Sequence, residues 1–294
     1  MIGKSERRMA RLAHVVLIVF SLMAVLPFIL LISASLTEEN AALKYGFGFI
    51  PKVFSLAAYK YISYQSKMII RAYGITIFTT VIGTSVGLTM TSMLGYGLSK
   101  DIPGRRILNF FVVFTMLFNG GLVPTYLVYT KYLHLGNTIW ALIIPSLLMN
   151  AFHVMLVRNY FSTSIPESLI ESAKLDGASE MMIFRAIVLP LSKPIMATIG
   201  LMLALSYWNN WTNGLYYLYD TSLYSIQNVQ NAINNNIIAI NSVSNMGLAI
   251  NKSEVPALTA RMAIAVIGIV PMLCIYPFFQ KYFVKGITIG AVKG

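Results

Sequence analysis

An all-α polytopic membrane protein is what this sequence predicts, on three observations. Hydrophobic residues fill 57 % of the 294 positions and charged residues only 11 %, a balance that would leave a soluble domain with a large exposed apolar surface. Six apolar windows are each long enough to cross a hydrocarbon core of about 30 Å, which takes about 20 helical residues. The basic residues, which give the chain a net charge of +12, fall in short groups between those windows instead of lining one amphipathic face, so they read as orienting charges and not as a nucleic-acid surface.

The windows are residues 12–36, 74–99, 107–133, 137–161, 195–219 and 258–283. The first is too long in its apolar stretch for a cleaved signal and is read as a retained helix. With the N-terminus inside, the cytoplasmic segments hold fourteen of the twenty-two Lys and Arg residues, which favours both termini in the cytoplasm. This gives a cytoplasmic N-terminus at 1–11, a six-helix transmembrane domain at 12–283 and a cytoplasmic tail at 284–294. Within the spans, Gly83 and Gly87 form a small-xxx-small pair that lets another helix approach. Pro27, Pro145 and Pro271 are expected to kink their helices, and Asn119-Gly120-Gly121 with Pro124 to break the third span beside protein or water.

Two stretches are expected on the outer side. Residues 36–73 mix aromatics with Lys, suited to a headgroup boundary or a pore mouth, and residues 220–257 are rich in Asn. On the inner side, residues 162–194 break the apolar pattern with Glu167, Glu171, Lys174, Asp176, Glu180, Arg185 and Lys193. Ser164 is expected to cap a helix through Lys174 that Gly177 ends in a left-handed turn. A second amphipathic helix with Met181, Met182, Phe184, Ile187 and Val188 follows, and Pro190 and Pro194 lead back into the bilayer. Helix, glycine turn and helix make a knob projecting from the membrane.

The run Glu171-Ser172-Ala173-Lys174-Leu175-Asp176-Gly177-Ala178, followed by Phe184 and Leu189-Pro190-Leu191-Ser192-Lys193-Pro194, resembles the EAA loop of ABC importer permeases. Ser172 departs from that pattern, where a second Ala is usual. Ile50-Pro51-Lys52, Gly121-Leu122-Val123-Pro124, Asn137-Thr138 with Trp140-Ala141 and the tail from Lys281 to Gly286 are similar to carbohydrate-uptake permeases of the maltose type in their second-subunit form, above all those for complex oligosaccharides. The resemblance covers nearly the whole chain. It implies that the loop between the fourth and fifth spans is a coupling helix gripped by a cytoplasmic ATPase. It also implies a sister permease, a pair of ABC ATPase subunits and an extracytoplasmic solute-binding protein as partners. Glu171, Asp176 and Arg185 are then expected at the polar rim of the ATPase contact. Ala173, Gly177 and Ala178 would allow close approach, and Met182 and Phe184 would be apolar anchors. The tail Gly286–Gly294 resembles permease tails that reach the ATPase.

No Gly-x-x-x-x-Gly-Lys-Ser/Thr occurs in the chain, and Gly95-Tyr96-Gly97 is too short for a nucleotide loop, so no catalytic residue, metal site or bound cofactor is expected; ATP and Mg belong to the ATPase partner. Cys274 reads as a structural thiol. A sugar path needs flat apolar faces with amide and hydroxyl partners, which Tyr207, Trp208, Asn209, Asn210 and Trp211 supply in the fifth span, with Asn119 at the break in the third. An interfacial aromatic belt is the competing reading of that run. Two other functions are weighed: an ion-coupled secondary transporter, which would carry intramembrane acidic residues, and a polytopic enzyme acting on lipid-linked sugar, which would need an acid, base or metal cluster. The six windows contain no Asp or Glu.

Overall fold

The computed structural model describes residues 4–145, 147–245 and 256–291, and the side chains of most of 236–257 and of nearly all of 275–294 lie outside that description. The described residues are mostly helical, in chain order α1 (Lys4–Ser35), α2 (Glu39–Tyr45), α3 (Ala57–Ser63), α4 (Ser66–Ser99), α5 (Arg105–Leu117), α6 (Leu122–Leu127), α7 (Ala151–Ser164), α8 (Glu167–Leu175), α9 (Glu180–Ile183), α10 (Leu189–Leu191), α11 (Lys193–Trp208), α12 (Thr212–Tyr217), α13 (Ile226–Asn245) and α14 (Ala257–Ala291). Of the tail expected at the ATPase, the last three residues lie outside the described set, and α14 runs through the rest. Arg8–Ser35 and Ser66–Ser99 are long and apolar enough to cross a membrane on their own. Two further pairs qualify only as bent spans: Arg105–Leu117 with Leu122–Tyr132 at 114°, and Glu180–Leu191 with Lys193–Trp208 at 84°. The stretch Leu258–Cys274 is a shorter apolar helix.

The third window breaks at the expected place. Helix α5 stops at Leu117, Asn119 Oδ1 accepts the Gly121 N–H at 2.9 Å, and Gly121 takes φ +87° before the chain restarts as α6. Pro124 lies inside α6 and is not the breaker.

The fourth window is not a continuous helix. One short 3₁₀ turn, Ile139–Leu142, precedes an irregular stretch, and α7 begins only where Asn150 Oδ1 accepts from the N–H groups of Phe152 and His153. Pro145 has no N–H and disfavours helix at Ile144, so the backbone here needs partners from elsewhere. Window five supplies them. The Tyr207 hydroxyl donates to the Ile143 carbonyl at 3.0 Å and Asn213 Nδ2 donates to the Pro145 carbonyl at 3.0 Å. That window is itself interrupted: α11 ends at Trp208 and the chain turns through Asn209–Trp211 before α12.

Contacts divide the described chain into two compact units. The first comprises Met1–Lys67 with Gln230–Pro271. In it, a lone bridge between Thr37 and Phe54 folds the segment after α1, and the Glu39 carboxylate accepts from the Leu258 and Thr259 N–H groups at 2.8 and 2.9 Å and from the Thr259 hydroxyl at 2.8 Å. An acidic side chain distant in sequence thus satisfies the bare N-terminal donors of α14. Gln230 donates to the Ile264 carbonyl at 2.7 Å.

The second unit comprises Met68–Val229 with Met272–Gly294. Its centre is α4, whose glycine face receives neighbours that a side chain would exclude. The Tyr207 ring lies on Gly83, a Cβ at Gly87 would come within 2.9 Å of the Leu148 carbonyl oxygen, and one at Gly95 within 2.8 Å of Val157. The small-xxx-small pair therefore admits a ring and a loop carbonyl, where the sequence suggested another helix. Ile75, near the start of α4, packs on Ala141, Leu142, Tyr217 and Leu218, while Tyr96, near its end, packs on Val157, Phe161, Ile183, Phe184 and Val188. At 1.5 Å per residue these two clusters are about 32 Å apart, close to the thickness of a hydrocarbon core.

Candidate functional site

The polar segment between α7 and α11 forms the elbow that the sequence suggests, with a different start. Helix α7 runs through Ser164, so Ser164 does not cap the next helix; Pro166 stands at that cap with no side-chain hydrogen bond. The stop is a two-bond glycine turn. Gly177, at φ +80°, donates to Lys174 O at 3.0 Å and Ala178 donates to Ala173 O at 2.9 Å, which closes α8 as a Schellman motif. Ser179 then caps α9 by accepting from Met182 N–H at 3.3 Å. From Phe184 to Val188 the turns widen to a π-helix just ahead of Pro190, whose missing N–H cannot continue the α ladder.

Which side of the elbow faces out differs from the reading of the sequence. Phe184 is 6 % exposed, meets the Tyr96 ring at 5.1 Å with a 37° tilt between the planes and belongs to the core with Ile183 and Val188. It fastens the elbow to α4 and offers no surface to another chain. Ala173 and Ala178 also pack on that core. Outward are Glu171, Asp176, Gly177, Arg185, Met182 at 59 % and Leu175 at 89 %. Leu175, at the tip of α8, is the apolar residue that periodicity alone did not single out; its place one residue past the Ala173-Lys174 pair is the signal that could have found it.

A polar network holds the elbow's base. Tyr96 donates its hydroxyl to Glu180 at 2.6 Å, Lys174 pairs with Glu180 at 2.8 Å, and the Lys100 ammonium sits 5.1 Å above the Tyr96 ring. Hydrogen bonds from Lys174 and then Tyr96 hold the Glu180 carboxyl below the ordinary carboxylate range, while burial pushes Lys100 down. Arg158 adds a bond from Nε to the Leu98 carbonyl at 3.3 Å. Between the end of α4 and α8 lies a cleft of about 930 Å³ lined by Lys100, Arg105, Glu167, Glu171, Lys174 and Glu180 among others. The sequence pointed to none of these pairings, because they join positions up to 84 residues apart.

The expected sugar path fares otherwise. Tyr207 and Trp208 are each 3 % exposed; Tyr207 is spent on the Ile143 carbonyl and Trp208 lies beside Tyr73 with centroids 6.4 Å apart. Both are packing residues here, because the broken fourth window needs the fifth to fill it. Asn209 donates to Leu205 O, and Asn210 Oδ1 accepts the Asn213 N–H at 2.9 Å. Trp211 is exposed and its carbonyl accepts from Asn228; Asn119 is exposed at the break before α6. Among the described residues no group of three or more His, Cys, Asp or Glu could hold a metal ion.

The family model for the binding-protein-dependent transport system inner membrane component matches residues 83–289. The chain belongs to that family. It is a membrane-integral permease subunit of an ATP-driven importer, from a family of non-catalytic permeases whose working partners are an ATPase and a binding protein. The permease is 43 % identical to the polygalacturonan/rhamnogalacturonan transport system permease protein YtcP of Bacillus subtilis (strain 168), over 95 % of this chain and 96 % of that one. It is 40 % identical to Protein LplC of the same organism, over 92 % and 90 %. Its structure matches a chain from the crystal structure of a bacterial ABC transporter involved in the import of the acidic polysaccharide alginate, with a TM-score of 0.78, 31 % identity and coverage of 96 % and 99 %.

Proposed function

We propose that this permease imports oligosaccharides, acidic ones of the pectin type foremost, and that its elbow at Glu171–Pro194 carries the force of ATPase closure into the membrane helices. The cargo reading is supported by what the relatives are named for transporting. The coupling reading is carried by one observation, the Schellman-closed elbow whose inner face is rooted in the core at the end of α4 and whose outer face offers Leu175, Met182, Glu171, Asp176 and Arg185. A rigid knob with a free apolar tip and a charged rim has the anatomy of a docking element.

In this reading the chain crosses the bacterial cytoplasmic membrane six times, residues 12–283 form the transmembrane domain, and both termini and the elbow face the cytoplasm. It works beside a sister permease and a pair of ATPase subunits that hold ATP and Mg, and it receives sugar from an extracytoplasmic binding protein. It binds no cofactor of its own. ATP binding draws the ATPase pair together, the elbow moves with it, and Phe184 and the Tyr96–Glu180 bond pass that motion to α4. Hydrolysis returns the bundle to its inward-facing state.

The test is Gly177→Pro in the reconstituted importer. Proline cannot take a φ of +80° and removes the N–H donated to Lys174, so the elbow loses its shape. The expected result is an assembled complex that hydrolyses ATP without taking up sugar; unchanged uptake would refute the coupling role.

A further inference from the structure

At the end of the second unit remote from the elbow lies a pocket of about 500 Å³ lined by Tyr126, His134, Tyr216, Tyr217 and Tyr219 among others. We propose that it is a subsite for the pyranose rings of the cargo, a deepening that rests on the sugar reading above.

The pocket's frame is fixed. Tyr217 is buried, Tyr126 stacks on it at 5.8 Å with 10° between the planes, and Tyr129 meets it edge-on at 6.0 Å. The two chain segments that make the walls are clamped by Asn137. Its N–H donates to the Tyr217 carbonyl at 2.8 Å, and its side-chain oxygen accepts from the Tyr219 and Asp220 N–H groups at 3.2 and 2.9 Å. Asn137 and His134 both stand at positive φ, 57° and 52°, and among the described residues no other non-glycine position does. Such conformations persist where surrounding bonds over-determine them, as Asn137's three do, and they gather at ligand clamps. The preceding turn is a π-helix, Val128–Tyr132, closed by Leu133 N–H to the Val128 carbonyl at 3.0 Å.

The chemistry on this frame suits a sugar. Flat phenol rings present apolar faces to the C–H face of a pyranose, while phenol hydroxyls and the His134 imidazole supply donors and acceptors for its hydroxyls. Tyr219 is 81 % exposed and Tyr126 and Tyr216 are also exposed, so these groups are free to receive a ligand. A membrane-interface belt explains tyrosines that stand singly at headgroup depth, but it does not explain why they converge with a histidine on one clamped concavity. The pocket lies about 32 Å along α4 from the elbow, on the face that cargo would meet first.

The test uses the whole reconstituted importer in lipid nanodiscs, with His134→Cys in a Cys274→Ser background and a hydrophilic maleimide as reagent. The protecting probe is whichever member of a set of short oligogalacturonates and arabino-oligosaccharides that importer is shown to take up with ATP and its binding protein. Sugar alone should slow labelling at position 134 severalfold and leave a Tyr132→Cys control, exposed on the adjacent π-helix and outside the pocket, unchanged. Tyr219→Ala should raise the protecting concentration about fivefold, the weight of one aromatic contact. Uptake with no protection overturns the subsite and leaves the sugar reading standing. Uptake of none of the sugars fells both. Labelling slowed by sugar-free binding protein but not by sugar identifies a docking face, and labelling seen in detergent but not in nanodiscs identifies a lipid-facing belt; either overturns the proposal.

Discussion

Gly83→Ala is the sharpest test of how the fourth and fifth windows hold each other. The new methyl group would fall within the ring of Tyr207, which has little room to retreat because it is 3 % exposed and its hydroxyl is bonded to Ile143 O. Overpacking a tight core costs about 1–3 kcal/mol, and displacing the phenol forfeits a buried hydrogen bond worth about 1 kcal/mol. Alanine returns up to about 1 kcal/mol of helix propensity, so the net loss expected is about 2 kcal/mol. Thermal unfolding of the purified permease in nanodiscs should move down by roughly 5 °C. The decisive measurement is the cycle with Tyr207→Ala, in whose background the Gly83→Ala penalty should vanish and leave only the helix-propensity gain of up to about 1 kcal/mol. Additive effects of the two substitutions would mean that the ring does not rest on Gly83, and the packing argument would fall.

Glu39→Ala removes the carboxylate that accepts three bonds at the start of α14 and should destabilise the first unit by about 1–2 kcal/mol, seen as faster amide exchange at Leu258 and Thr259. The Glu180 carboxyl is lowered from its ordinary value of 4.5, so its contribution to fixing the elbow is complete above that pH and fades as the pH falls through its lower folded value. Limited proteolysis across residues 174–184 should accelerate on that acidification, and Lys174→Met should move the onset to higher pH. Leu175→Asp leaves the core untouched and should weaken copurification with the ATPase, whereas Ala173→Asp should harm folding of the permease itself.

Local chemistry in the sequence was enough to place the glycine turn at Gly177, the break before Gly121 and the glycine face of α4, since each depends on residues within a few positions. What it could not place depends on distant partners. Hydropathy marks 137–161 as one span because averaging over a window does not see that Pro145 frees carbonyls, and that Tyr207 and Asn213 stand ready to take them. For the same reason the amides and rings of 207–211 look like a sugar path when read alone, while the fold uses two of the rings as filling. Helical periodicity in the elbow gave an amphipathic pattern without its phase: Phe184 turns inward onto the Tyr96 ring, while α8 meets the core through Ile170 and Ala173 and leaves Leu175 outward.

The carboxylate of Glu39 bonds a residue 220 positions further along the chain. At a synthesis rate of about 5–20 residues per second, the nascent permease therefore holds its first helices in the membrane for roughly 10–45 s before their partner leaves the ribosome. A chain cut short ahead of Thr259 would leave that acid with no helix N-terminus to cap.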